Sequence, residues 1–152
     1  MGVGIVDSDG AGLSLAYFGV VTPGRRDPLS QRLYYLYTQI SNVIQEWRPS
    51  EVAIEEPFAA RNIRAAMAVG QAQAAAIVAA ARHGLPVSGY APRRVKQAVT
   101  DYGGSSKEQV REMVKVLLEL DDVPESTDAS DALAVAICHI NATRVTQLVI
   151  RE

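Results

Sequence analysis

Glu51-Val52-Ala53-Ile54-Glu55, halted at once by Glu56-Pro57, is the stretch that decides the fold. Val52 and Ile54 alternate onto one side, the pattern of a strand, and Pro57 lacks the N–H that a ladder would use. The last residue of this strand is therefore a carboxylate. Upstream of it, Leu29, Leu33, Leu36, Ile40, Val43, Ile44 and Trp47 recur at helical spacing between Pro28 and Arg48-Pro49. They describe an amphipathic helix whose apolar face needs a sheet. Downstream, residues 62–83 read as a long alanine-rich helix closed by Gly84, with so many small side chains that close approach to a sheet or another helix is expected. Residues 85–90 then return as a strand.

Further out, Val3-Gly4-Ile5-Val6, the turn Asp7-Ser8-Asp9-Gly10-Ala11-Gly12 and the run 13–21 read as a hairpin, with Asp9-Gly10 as its turn chemistry. At the other end, residues 92–102 predict a short basic helix broken by Gly103-Gly104. Ser105 with Glu108 has the spacing of a capping box for the next helix, which runs to about Leu120. A polar loop over 121–127 leads to a final helix carrying Asp128, Asp131, Leu133, Ala134, Ala136, Ile137 and Ile140. A hairpin followed by strands alternating with helices specifies an α/β domain with a mixed sheet flanked by helices. The carboxylates fall where such sheets hold their sites.

With 152 residues and 48% apolar composition, residues 1–152 are expected to form one domain. The longest apolar stretch, 65–81, is interrupted by Gly70, Gln71 and Gln73 and is mostly alanine, so it is read as a soluble helix without the hydrophobicity of a membrane span. No basic segment leads into an apolar core at the N-terminus, so a cytoplasmic location with no membrane partner is expected. The one cysteine, Cys138, lies in Ala-Val-Ala-Ile-Cys-His-Ile and reads as core. The net charge of −2 hides an asymmetry. Residues 57–100 hold Arg61, Arg64, Arg82, Arg93, Arg94 and Lys96 and no acid, whereas 116–131 hold Glu119, Asp121, Asp122, Glu125, Asp128 and Asp131 and no base. Either surfaces simply vary, or a basic face for a polyanion lies beside an acidic pocket for metal.

Phosphodiester cleavage with two metal ions needs carboxylates that converge from separate elements, because hard oxygen ligands hold the ions. Glu55 at a strand end and Asp128 with Asp131, three apart on one helical face, have that potential. Ordinary roles stand beside it. Asp128 suits the positive end of a helix, and Glu55 suits a solvated strand end with Glu56 as an equal partner. Asp131 directly precedes an apolar run on the side of the helix meant for burial, where a like-charged neighbour favours a cation between them.

Ala53-Ile54-Glu55-Glu56-Pro57-Phe58, with Asn62 and Gly70-Gln71-Ala72-Gln73-Ala74 after it, resembles the glutamate motif and following helix of the RuvC family of Holliday junction resolvases. Tyr90-Ala91-Pro92-Arg93-Arg94-Val95-Lys96-Gln97 is similar to that family's basic segment, and Asp128-Ala129-Ser130-Asp131-Ala132-Leu133-Ala134 to its closing signature. The resemblance covers almost the whole chain. It implies an RNase H-like fold and a homodimeric endonuclease that cuts four-way junction DNA in recombination and repair. It further implies two Mg²⁺ ions per site, with Mn²⁺ as the alternative, and a RuvA–RuvB branch-migration complex as partner. Glu55, Asp128 and Asp131 match three of four metal-binding catalytic carboxylates. Phe58 matches an aromatic that works near the junction point, where stacking on an unpaired base is the chemistry available; a core phenylalanine is the other reading. Lys96 and Lys107 match positions that face DNA, with Arg93 and Arg94 as supporting phosphate contacts.

The family's first aspartate, on an apolar strand ending in Asp-Pro-Gly, has no counterpart here. Asp7 and Asp9 lie in turn sequence, and residues 2–6 align better with the family's second strand. The central first strand and the fourth carboxylate are thus expected to be missing from these residues, leaving one edge of the 2–6 strand without its partner. Two alternatives remain: a YqgF-like nuclease of the same fold acting on RNA, and a catalytically impaired junction-binding module.

Overall fold

Alternating short apolar runs on either side of an Asp-Gly turn produce the first two strands, β1 (Gly2–Ser8) and β2 (Leu13–Val20), paired antiparallel from Gly2↔Val20 to Ser8↔Leu13. A bulge interrupts the register between Ile5 and Val6. At the turn, the Asp9 carboxylate accepts from the N–H groups of Ala11 (2.9 Å) and Gly12 (3.0 Å). Those bonds, Gly12's first, hold its carboxyl below the ordinary carboxylate range. Asp9 is therefore turn chemistry, as its context suggested. The computed structural model describes residues 1–57 and 62–149, and side chains among these up to residue 144.

The remaining elements follow the expected order: α1 (Leu29–Trp47), β3 (Val52–Glu55), α2 (Ile63–Arg82), β4 (Val87–Tyr90), α3 (Pro92–Thr100), α4 (Lys107–Leu117) and α5 (Thr127–Val149). The strands form two two-stranded sheets, β1–β2 and β3–β4. Among the described residues β2 is the only strand hydrogen-bonded to β1.

The chain packs as two compact units, Met1 with Val21–Gly89 and Gly2–Val20 with Tyr90–Glu152. In the first, α1 packs on α2, and the helical spacing of Leu36, Ile40 and Ile44 gives α1 its buried face. Burying each such side chain contributes about 1.5–3 kcal/mol. Asn62 caps α2 by accepting from the Ala65 N–H at 3.1 Å, and Gly84, at φ +70°, lets the N–H of Leu85 reach back to the Ala80 carbonyl. Ala76, Ala79 and Ala80 are the buried side of α2. Its other side is apolar and exposed at Ile63, Met67, Val69, Ile77 and Val78. By length and composition alone α2 is long and apolar enough to cross a membrane, against the expectation drawn from its alanines; Gln71 and Gln73 are too few to offset these larger side chains.

In the second unit the hairpin lies on α5, and α3 and α4 pack on α5 and on each other. Leu133, Ile137, Cys138 and Val114 are its most deeply buried large side chains. The strand can lie so close to the helix because of two glycines. A Cβ on Gly2 would collide with the Asp128 carbonyl oxygen, and one on Gly4 would stand 2.7 Å from Leu133 Cδ2.

Boundaries differ from expectation where side chains compete. The capping box belongs to Ser106 and Gln109, not Ser105 and Glu108: Ser106 Oγ accepts from Gln109 N–H, and Gln109 Oε1 accepts from Ser106 N–H at 2.8 Å. Ser105 is buried and otherwise engaged, donating to the Tyr102 carbonyl and pairing with Thr100 Oγ1 at 2.6 Å. The same knot of bonds ends α3 at Thr100 rather than at Tyr102, and α4 closes at Leu117 with Glu119 at φ +51°.

Candidate active site

Ser126 sets the start of α5: its carbonyl accepts from Ser130 N–H at 3.1 Å and its hydroxyl from Ala129 N–H at 3.4 Å. Ala129, Ser130, Leu133 and Ala134 are all buried, which fixes the rotation of the first turns. Asp128 is thereby turned outward and exposed. Asp131 lies at the border of the buried face with 40% of its side chain exposed, rather than within it as its sequence position suggested. One helical turn thus presents two carboxylates to the same surroundings.

Facing Asp131 is Lys107, the first residue of α4, whose Nζ is 3.6 Å from Asp131 Oδ2. On α3, Arg93 and Arg94 are exposed and Lys96 is half-buried. The basic helix is fastened to the acidic one. Tyr90, buried at the entry to α3, shares a 2.8 Å hydrogen bond between its hydroxyl and His139 Nδ1 on α5. The Arg94 guanidinium stands 5.1 Å from the centre of the same Tyr90 ring. Asn141 of α5 donates to the Ala98 carbonyl at 3.3 Å. Cys138 is core, as expected, and burial pushes its thiol pKa up. No sequence signal announces His139: it follows Cys138 in an apolar run, and only the three-dimensional position of Tyr90 shows what it bonds.

Glu55 ends β3 in the first unit, half-buried, and its backbone carbonyl accepts from the Gln73 side-chain amide. Phe58 lies outside the described residues. Asp128, Asp131, Lys107 and the α3 cations are thus brought together in one unit, and Glu55 belongs to the other. Among the described residues no three Asp, Glu, His or Cys side chains form a group that could hold an ion. In kind the donors fit a hard divalent cation, since all are carboxylates, and Asp131 already faces a positive charge. A cavity of about 500 Å³ just ahead of α5, lined by Phe18, Leu120, Val123 and Pro124 with Asp122 and Glu125, has no basic side chain to meet a phosphate.

Residues 1–139 match the family model of crossover junction endodeoxyribonuclease RuvC. The chain belongs to the RuvC family. A crossover junction endodeoxyribonuclease RuvC of Dehalococcoides mccartyi is 46% identical over 149 residues, covering 98% of this chain and 89% of that protein. Its counterpart in Maricaulis maris is 45% identical over 148 residues, 97% of this chain and 88% of that one. Among solved structures, Thermus thermophilus RuvC superposes with a TM-score of 0.85 at 36% identity, over 95% of this chain and 88% of that one. The same protein in complex with Holliday junction substrate gives a TM-score of 0.85 at 34% identity with the same coverage. The RuvC fold, the RNase H-like α/β class expected, is therefore the fold of this chain.

Proposed function

We propose that this chain is a structure-specific endonuclease that resolves four-way DNA junctions by metal-dependent hydrolysis of phosphodiester bonds. What carries the reading is the fastening of α3 to α5, within a chain of the RuvC family: the α3 cations and the α5 carboxylates stand on two helices that pack together and are joined by the Asn141–Ala98 bond. Asp128 and Asp131, with Glu55 as a third donor, would hold Mg²⁺ or Mn²⁺, two ions per site. Such ions, when bound, stabilise the attacking and leaving oxygens of the displacement. Arg93, Arg94, Lys96 and Lys107 supply positive charge along the phosphate backbone, and Phe58 offers a face for an unpaired base. The acidic residues would repel DNA without the cations that both groups recruit.

We read residues 1–152 as a single nuclease domain, since the family match runs through both units. A homodimer fits a four-armed substrate that presents two like strands, and the exposed apolar side of α2 offers a surface to a second copy. The same family membership supports the proposal of a cytoplasmic site of action beside a RuvA–RuvB branch-migration complex.

The test is cleavage of a labelled four-way junction beside linear duplex and structured RNA, with Mg²⁺ and with chelator. Paired, Mg²⁺-dependent cuts in the junction alone are expected. Preferred cutting of RNA would move the chain to another nuclease class, and junction binding without cutting would make it a binding module.

A further inference from the structure

We propose that the Lys107 ammonium is an exchangeable counter-ion of Asp131. It occupies the carboxylate while no divalent ion is bound there. It is released toward the phosphate backbone when an ion takes the carboxylate, so metal loading and junction binding are coupled through one side chain. The inference rests on the reading of Asp131 as a metal ligand.

Four features of the second unit support it. Lys107 is the first residue of α4, and the reciprocal Ser106–Gln109 bonds fix its backbone there. Its side chain is nevertheless 66% exposed, so a fixed root carries a mobile, four-carbon reach. The 3.6 Å separation from Asp131 Oδ2 is an ion contact without the 2.7–2.9 Å geometry of a strong charge-assisted hydrogen bond. Exposed pairs of this kind contribute little, which makes the lysine easy to displace. Finally, α4 packs on α3, whose Arg93 and Arg94 are exposed, so a released ammonium adds to a surface that is already basic. A cation placed on Asp131 repels Lys107, and by linkage a phosphate that engages Lys107 uncovers Asp131 for the ion.

The first measurement is Mn²⁺ binding to the whole chain without DNA, by electron paramagnetic resonance, in the wild type, Lys107→Gln, Lys107→Arg and Asp131→Asn. Removing the competing charge in Lys107→Gln should tighten Mn²⁺ by about threefold, with Lys107→Arg close to wild type. Asp131→Asn should lose the site. The second measurement is junction affinity by fluorescence anisotropy, with chelator and with Ca²⁺. The wild type should gain affinity from Ca²⁺, and Lys107→Gln should gain less. If Asp131→Asn weakens Mn²⁺ binding while Lys107→Gln leaves it unchanged or weaker, the exchange is wrong and the metal reading stands. If Asp131→Asn binds Mn²⁺ as the wild type does, the metal reading of Asp131 itself fails. Lys107 is exposed, so matching thermal unfolding of its variants ensures that binding differences are not folding differences.

Discussion

Asp128 and Asp131 leave the first turns of α5 three residues apart, the former exposed and the latter at the border of the buried face beside Lys107. Their spacing of three places them on one helical face, and that was legible from the residues alone. How far each is buried was not, because burial depends on the rotation imposed by Ala129, Ser130, Leu133 and Ala134 against the hairpin. Asp131 stands on α5, whereas the cations proposed to face phosphate stand on α3 and α4, and that division of roles makes a definite expectation. Asp131→Asn keeps the size of the side chain and removes the charge, so cleavage should fall roughly a hundredfold or more while junction affinity changes by less than about threefold. Parallel cleavage and binding measurements on the same preparation check it. Equal loss of both, at unchanged circular dichroism, would show that the carboxylate serves the binding surface. His139 marks the opposite limit of sequence reading. Its bond to Tyr90 joins residues 49 apart, and no local pattern announces such a partner.

At the scale of elements, helices were legible in their apolar spacing and in their ends: Pro28 before α1, Asn62 before α2, Gly84 after it. Errors of one or two residues arose between α3 and α4, where the Thr100 and Ser105 hydroxyls had better partners than the cap. What could not be read was the purpose of the glycines in β1. Each is placed where a side chain would collide with α5, Gly2 with the Asp128 carbonyl and Gly4 with Leu133. Gly4→Ala meets mainly the end of a leucine side chain, and should destabilise by about 1–3 kcal/mol, the usual cost of overpacking. Gly2→Ala meets backbone and must push back the turn that carries Asp128. It should lower cleavage more than junction affinity, and its loss of thermal stability should be at least that of Gly4→Ala. Wild-type melting and cleavage in Gly2→Ala would mean that β1 and α5 are not so closely apposed.

Across the whole molecule, the charge asymmetry was legible in the sequence, and the structure sorts part of it onto α3 and the first turn of α5. If Lys96 faces phosphate, Lys96→Ala should reduce the slope of log affinity against log salt by about 1, and an unchanged slope would take it out of the interface. The larger expectation concerns α2. Ile63, Met67, Gly70, Ala74, Ile77 and Ala81 follow one another at alternating spacings of four and three, the repeat of a helix that meets another along a seam. They lie opposite the buried Ala76, Ala79 and Ala80, with Ile63 75%, Met67 59% and Ile77 38% exposed. An apolar seam of this length is costly in water, and its small residues let a second backbone come near. A second copy of this chain would meet both needs, seam against seam about a twofold axis, as the proposed homodimer requires. The wild type should therefore sediment as a dimer at micromolar concentration. Met67→Glu, on an exposed position, should change the stability of the isolated chain by no more than about 0.5 kcal/mol yet shift it to monomer. Paired cuts across the junction should then become single nicks. A monomeric wild type, or a variant that stays dimeric, would place the dimer contact elsewhere, and flotation of the wild type with phospholipid vesicles would assign the seam to lipid.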